Sequence, residues 1–96
     1  MRSYETMFIL KPEFDKEQTQ EIAARFAGII ENNGGAVEKV SEWGKRRLAY
    51  EVKKYREGIY IVINFKADAA VAKELERNFR ISEDVIRYLI VRQDEE

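Results

Sequence analysis

The feature that most limits what this chain can fold into is the spacing of its apolar residues. Across 96 residues it switches from every second position to every third or fourth and back, twice over. A period of two alternates side chains between the faces of a strand, whereas a period near 3.6 gathers them on one side of a helix. In the first strand Tyr4, Thr6, Phe8 and Leu10 share one face, and Ser3, Glu5, Met7 and Ile9 share the other. Apolar groups therefore lie on both faces. Pro12, the only proline, suits the loop that follows, because it has no N–H to give a sheet.

Asp15 and Gln18 have the spacing of a capping box, and Ile22, Phe26, Ile29 and Ile30 recur at helical intervals after it. The spacing predicts a helix over 16–32, stopped by Asn33, Gly34 and Gly35. Strand character returns from Ala36 to Lys54, irregular up to Gly44, where a bulge is expected, and alternating after Arg47. Arg56, Glu57 and Gly58 are expected to form a turn into a central strand, IYIVINF, rich in β-branched and aromatic residues. Asp68 is expected to cap a second helix whose stripe of Val71, Ala72, Leu75 and Phe79 runs to Asn78 or Phe79. A last strand spans 85–92, with Ile86, Tyr88 and Ile90 facing one way and Arg87, Leu89 and Val91 the other, and residues 92–96 are expected to fray. The order β-α-β-β-α-β with right-handed crossovers predicts an α+β, ferredoxin-like domain over 1–96, a four-stranded antiparallel sheet with two helices on one face.

Composition then removes several classes of function. No cysteine occurs, which excludes disulfides and thiolate metal sites and fits a reducing, cytoplasmic setting. No histidine occurs either, removing the side chain most used for proton transfer near neutral pH and the commonest metal ligand. The carboxylates lack an apolar setting that would single one out for catalysis, and Gly34 and Gly35 follow a helix where a phosphate cradle would precede one. No enzyme activity, cofactor, metal or small-molecule substrate is expected. The opening MRSYETMFIL lacks the apolar core of a secretory signal, and no run approaches the length of a spanning helix, so no membrane association is expected. With a net charge of −1, the molecule as a whole will not be drawn to a polyanion, so any nucleic-acid contact must be local.

Two surfaces stand out. Trp43-Gly44-Lys45-Arg46-Arg47 sets three cations beside an aromatic, a combination that holds phosphates and stacks on bases and that equally serves as a charged edge resisting aggregation. Lys53, Lys54, Tyr55 and Arg56 form a second basic cluster, of a kind common at hairpin tips. The sheet face away from the helices should display Met7, Ile9, Tyr60, Val62, Leu89 and Val91, with Glu5, Asn64 and Arg87 among them. A contiguous apolar surface of this kind marks a protein interface, provided strand parity holds.

RNA-recognition modules share this topology and stack bases on central-strand aromatics, but here Tyr60 stands alone, with Val62 where a second ring would be needed. A hydrolase of the acylphosphatase type needs a phosphate-binding loop, whereas KPEFD carries negative charge at that place.

The opening MRSYE, the block EWGKRRLAYEV from Glu42 to Val52, the GIYIVINF strand and the closing RISEDVIRYLIV together resemble the bacterial small-subunit ribosomal protein S six family. The likeness covers nearly the whole chain in order. It implies a non-enzymatic ribosomal protein that pairs with ribosomal protein S eighteen and, with it, binds the central domain of small-subunit ribosomal RNA. Carried onto this sequence, it makes Arg2, Lys45, Arg46, Arg47, Arg87 and Arg92 the candidates for RNA or partner contacts.

Overall fold

A computed structural model describes residues 1–93. Six elements follow in the expected order: β1 (Arg2–Leu10), α1 (Lys16–Asn32), β2 (Ala36–Val52), β3 (Tyr55–Ala67), α2 (Ala69–Ile81) and β4 (Val85–Arg92). The sheet is antiparallel with strand order β2-β3-β1-β4, so the two most apolar strands lie at its centre.

Helix α1 begins as its sequence dictates. The Asp15 carboxylate accepts from the Gln18 N–H at 2.8 Å and the Gln18 side chain accepts from the Asp15 N–H at 2.9 Å, satisfying two N–H groups that a helix start leaves unpaired. Asp68 behaves differently. Its side chain makes no capping bond, and its backbone carbonyl takes the Val71 N–H at 3.0 Å instead. α2 also runs to Ile81, two residues past its buried stripe, because Arg80 and Ile81 are exposed and their helicity asks nothing of the core.

The core lies between the helices and one sheet face. Phe8, Ile61, Ile63 and Phe65 are fully buried there against Phe26, Ile30, Leu75 and Phe79. Phe8 stands 5.2 Å from Phe26 and 4.8 Å from Phe79, centroid to centroid, and Phe26 and Phe79 are 4.6 Å apart. Three tilted rings from three elements thus lock sheet and helices together, at distances where aromatic pairs attract beyond their buried area. Thr6, also fully buried, offsets its desolvation by donating to the Leu89 carbonyl at 2.9 Å.

Three local expectations are corrected. The β2–β3 turn is Lys53-Lys54, both at positive φ (51° and 73°), with Val52 opposite Tyr55. Arg56, Glu57 and Gly58 belong to β3. Two left-handed residues are what a two-residue hairpin turn requires, yet lysines carry none of the usual Asn-Gly signature. Gly58 is glycine for space: a Cβ there would overlap Ile9 Cγ2 and come 2.9 Å from the Leu10 carbonyl oxygen. The register of β1 with β4 shifts between Ile9 and Leu10, so Val85 joins the helix-side core and Ile86 lies with Ile9 near Gly58. Finally, Arg92 is paired opposite Tyr4 and the Gln93 N–H donates to the Ser3 carbonyl at 2.8 Å, so the expected fraying does not begin at 92. Residues 94–96 of that tail lie outside the described residues. The expected bulge is present at Gly44, whose φ of +86° accompanies a register shift between Glu42 and Gly44.

Candidate protein and RNA interface

Strand register assembles the open face row by row. Val62, Met7 and Leu89 lie side by side across β3, β1 and β4, flanked by Tyr60, Ile9 and Arg87 on one side and by Asn64, Glu5 and Val91 on the other. The six apolar residues picked out by parity are therefore brought together. Their exposure is unequal. Leu89 and Val91 are 54% and 43% exposed and Met7 and Tyr60 half-buried, whereas Ile9 and Val62 retain only 6% and 5%. Ile9 and Val62 are closed over by their own neighbours and form the floor of the patch. An aspartate at Val62 would bury a carboxylate and strain the fold itself, so the face can be probed cleanly only at Leu89 and Val91.

Between these strands Met7, Ile9, Tyr60, Arg87, Tyr88 and Leu89 line a shallow trough of about 200 Å³. Glu5 borders the patch. Its carboxylate accepts from the Asn64 amide at 3.4 Å and from the Gln93 amide at 3.3 Å, which holds a charged group in the rim rather than over the apolar floor.

The six candidate cations fall into separate places. Arg2, opposite Ala67, and Arg92, opposite Tyr4, lie at one end of the sheet. Lys45, Arg46 and Arg47 lie at the other, opposite Ile59, Gly58 and Glu57. Adjacent strand residues point to opposite faces, so Arg46 leaves the strand on the other side from Lys45 and Arg47. Lys45 borders a hollow of about 310 Å³ with Phe14, Asp15, Lys16 and Thr19 beside the start of α1. Arg46 turns to the open side and covers the Trp43 ring, guanidinium carbon 5.3 Å from the centroid, while Trp43 stays 48% exposed. Lys45, Arg46 and Arg47 also border a hollow of about 480 Å³ with Arg56 and Glu57. Arg56 thus brings a fourth cation from the opposite strand. Sequence reading placed it in a turn and missed this grouping. Arg87 lies on β4, in the row of Tyr60 and Ile9.

Elsewhere charge is structural. On α2 the Arg77 guanidinium, followed by the Asn78 amide, hydrogen-bonds the Glu74 carboxylate and holds it below its ordinary carboxylate range. Arg25 reaches Asp84 at 3.2 Å, tying α1 to the approach to β4.

Comparison with known proteins decides the family. Residues 3–92 match the family model described as Ribosomal protein S6. The chain belongs to the ribosomal protein S6 family. It is 56% identical to small ribosomal subunit protein bS6 of Carboxydothermus hydrogenoformans over 98% of both chains. It is 51% identical to the bS6 of Moorella thermoacetica, over 100% of this chain and 98% of that one. The crystal structure of 30S ribosomal protein S6 from Thermotoga maritima superposes with a TM-score of 0.90 at 39% identity, covering 96% of this chain and 87% of that chain. The family is one of ribosomal structural proteins, not of enzymes. Among the described residues no helix is long and apolar enough to cross a membrane.

Proposed function

We propose that this chain is a structural component of the bacterial small ribosomal subunit, in the cytoplasm, that docks ribosomal protein S eighteen on its open sheet face and with it binds the central domain of small-subunit ribosomal RNA. The observation that carries this reading is the exposed apolar surface of Leu89 and Val91, continuous with Met7 and Tyr60 over a floor of Ile9 and Val62. Removing such surface from water contributes roughly 25 cal/mol per Å², and a rim of Glu5, Asn64 and Arg87 supplies polar contacts around it.

RNA contact falls to Arg2 and Arg92 at one end of the sheet and to Trp43, Lys45, Arg46 and Arg47 at the other. Phosphate contacts made by a few scattered cations on a chain of net charge −1 release few counterions, so the lone protein binds RNA weakly. A partner seated on the open face adds its own contacts and tightens the assembly. A filter-binding titration of the central-domain RNA at physiological salt, with and without S eighteen, tests this. Weak binding alone and tight binding by the pair are expected; tight, specific binding by the lone chain would contradict partner-dependent assembly.

A further inference from the structure

Sheet order places β2 and β4 on opposite edges, three strand spacings or roughly 14 Å apart. Even so, the Arg87 Nη1 of β4 donates to the Tyr50 hydroxyl of β2 at 2.7 Å, and the same guanidinium lies 5.5 Å from the centroid of the Tyr50 ring. The sequence explains how. β1 ends at Leu10, opposite Ile59, so the part of the hairpin beyond Gly58 has no β1 neighbour and leaves the sheet as a free arm. Within that arm the pairing of Arg47 with Glu57 gives way to that of Val52 with Tyr55, which sets the four residues Leu48–Glu51 against the single Arg56. Excess length on one strand bends it and deepens its twist, and the bend carries Tyr50 past the end of β1 to the far edge.

Arg87 is at once the polar end of the open-face trough and the anchor of this arm. Among the described residues no carboxylate forms an ion pair with it, so its orientation rests on a neutral phenol. Tyr50 itself is 60% exposed, so the contact contributes little to core packing. The trough stays open while the contact is made.

We propose that Tyr50 is a positioning residue for partner docking: by holding the β2–β3 arm and the Arg87 guanidinium in one arrangement, it prebuilds the polar end of the trough. This rests on the reading of the open face as the docking surface for S eighteen. Binding to a prebuilt site avoids ordering an arm and a long side chain at the moment of association.

The full-length chain carrying Tyr50→Ala or Tyr50→Phe is compared with wild type in three measurements: melting, amide hydrogen exchange of residues 48–57, and association and dissociation rates with S eighteen. Tyr50→Ala is expected to speed exchange in the arm, leave melting nearly unchanged and weaken apparent affinity about tenfold, because the binding-competent fraction falls. Tyr50→Phe keeps the ring under the guanidinium and should lose about threefold. Unchanged exchange in the Tyr50→Ala arm, or faster exchange with unaltered affinity, overturns the proposal. Leu89→Asp separates the two levels. If it weakens pairing while Tyr50→Ala leaves the affinity unaltered, Tyr50 is not a positioning residue and the docking face stands; if Leu89→Asp pairs as wild type does, the docking face is wrong and the proposal falls with it.

Discussion

The two faces of one sheet are built from the same three strands, yet they answer to different demands. On the helix side every large residue of β1 and β3 is closed over by α1 and α2, and the three rings of Phe8, Phe26 and Phe79 meet within 5.2 Å. On the other side the same strands offer an apolar floor, Ile9 and Val62, beneath residues left open at Met7, Leu89 and Val91. One face has buried its hydrophobic surface in folding; the other leaves part of its own exposed. Burial rather than hydrophobicity separates the two, since valine, leucine and isoleucine occur on both.

The contrast is broken most severely by emptying the closed face. Phe8→Ala removes the ring shared by both helices and should cost about 3–5 kcal/mol, measured by denaturant unfolding, which is much of a small domain's stability. A smaller loss would mean that Phe26 and Phe79 collapse into the space.

Next in size is Gly58→Ala, where the open face meets the arm. The new methyl group would press on Ile9 and on the Leu10 carbonyl, which is backbone and has little room to move. Overpacking of this kind should cost about 1–3 kcal/mol in the same unfolding measurement. A neutral substitution would show that Ile9 is free to turn away, and hence that the floor of the patch is less fixed than the helix-side core.

Smallest in stability is the joint replacement of Lys45, Arg46 and Arg47 with alanine. All three are exposed, and exposed charges contribute little to folding, so melting should hardly change while incorporation into the small subunit weakens. Normal incorporation would reduce the basic strand to a device for solubility.

What could be read from the sequence follows the same division. The helix-side core was legible because period-two strands and a 3.6-period stripe point to the same residues; Phe8, Ile63 and Phe79 each satisfy both local pattern and burial. The capping box at Asp15 and the bulge at Gly44 were legible because each has a side-chain or backbone cause within a few residues. The β2–β3 turn was not. Lys53 and Lys54 adopt positive φ under the pull of the flanking strands, while the glycine that resembled a turn signal, Gly58, answers to Ile9, 49 places away in sequence, a neighbour no local window contains. The same holds for Ile86, moved between faces by a shift in β1–β4 register, and for Tyr50, brought to Arg87 by the bend of an arm. For the candidate site, parity gave the membership of the open face but not its relief, so Ile9 and Val62 were expected as contact residues and are its floor.

If the open face docks S eighteen, Leu89→Asp should break the pairing and leave the fold intact. Leu89 is the most exposed of the six apolar residues and sits beside Met7 in the middle row, so the charge is solvated in the free chain and melting should stay nearly unchanged. In the complex the carboxylate would be buried without a partner, at a cost of roughly 2–7 kcal/mol or more, so the dissociation constant for S eighteen measured by calorimetry should rise at least about thirtyfold. A variant that melts as the wild type does and binds S eighteen with the wild-type constant would contradict the account.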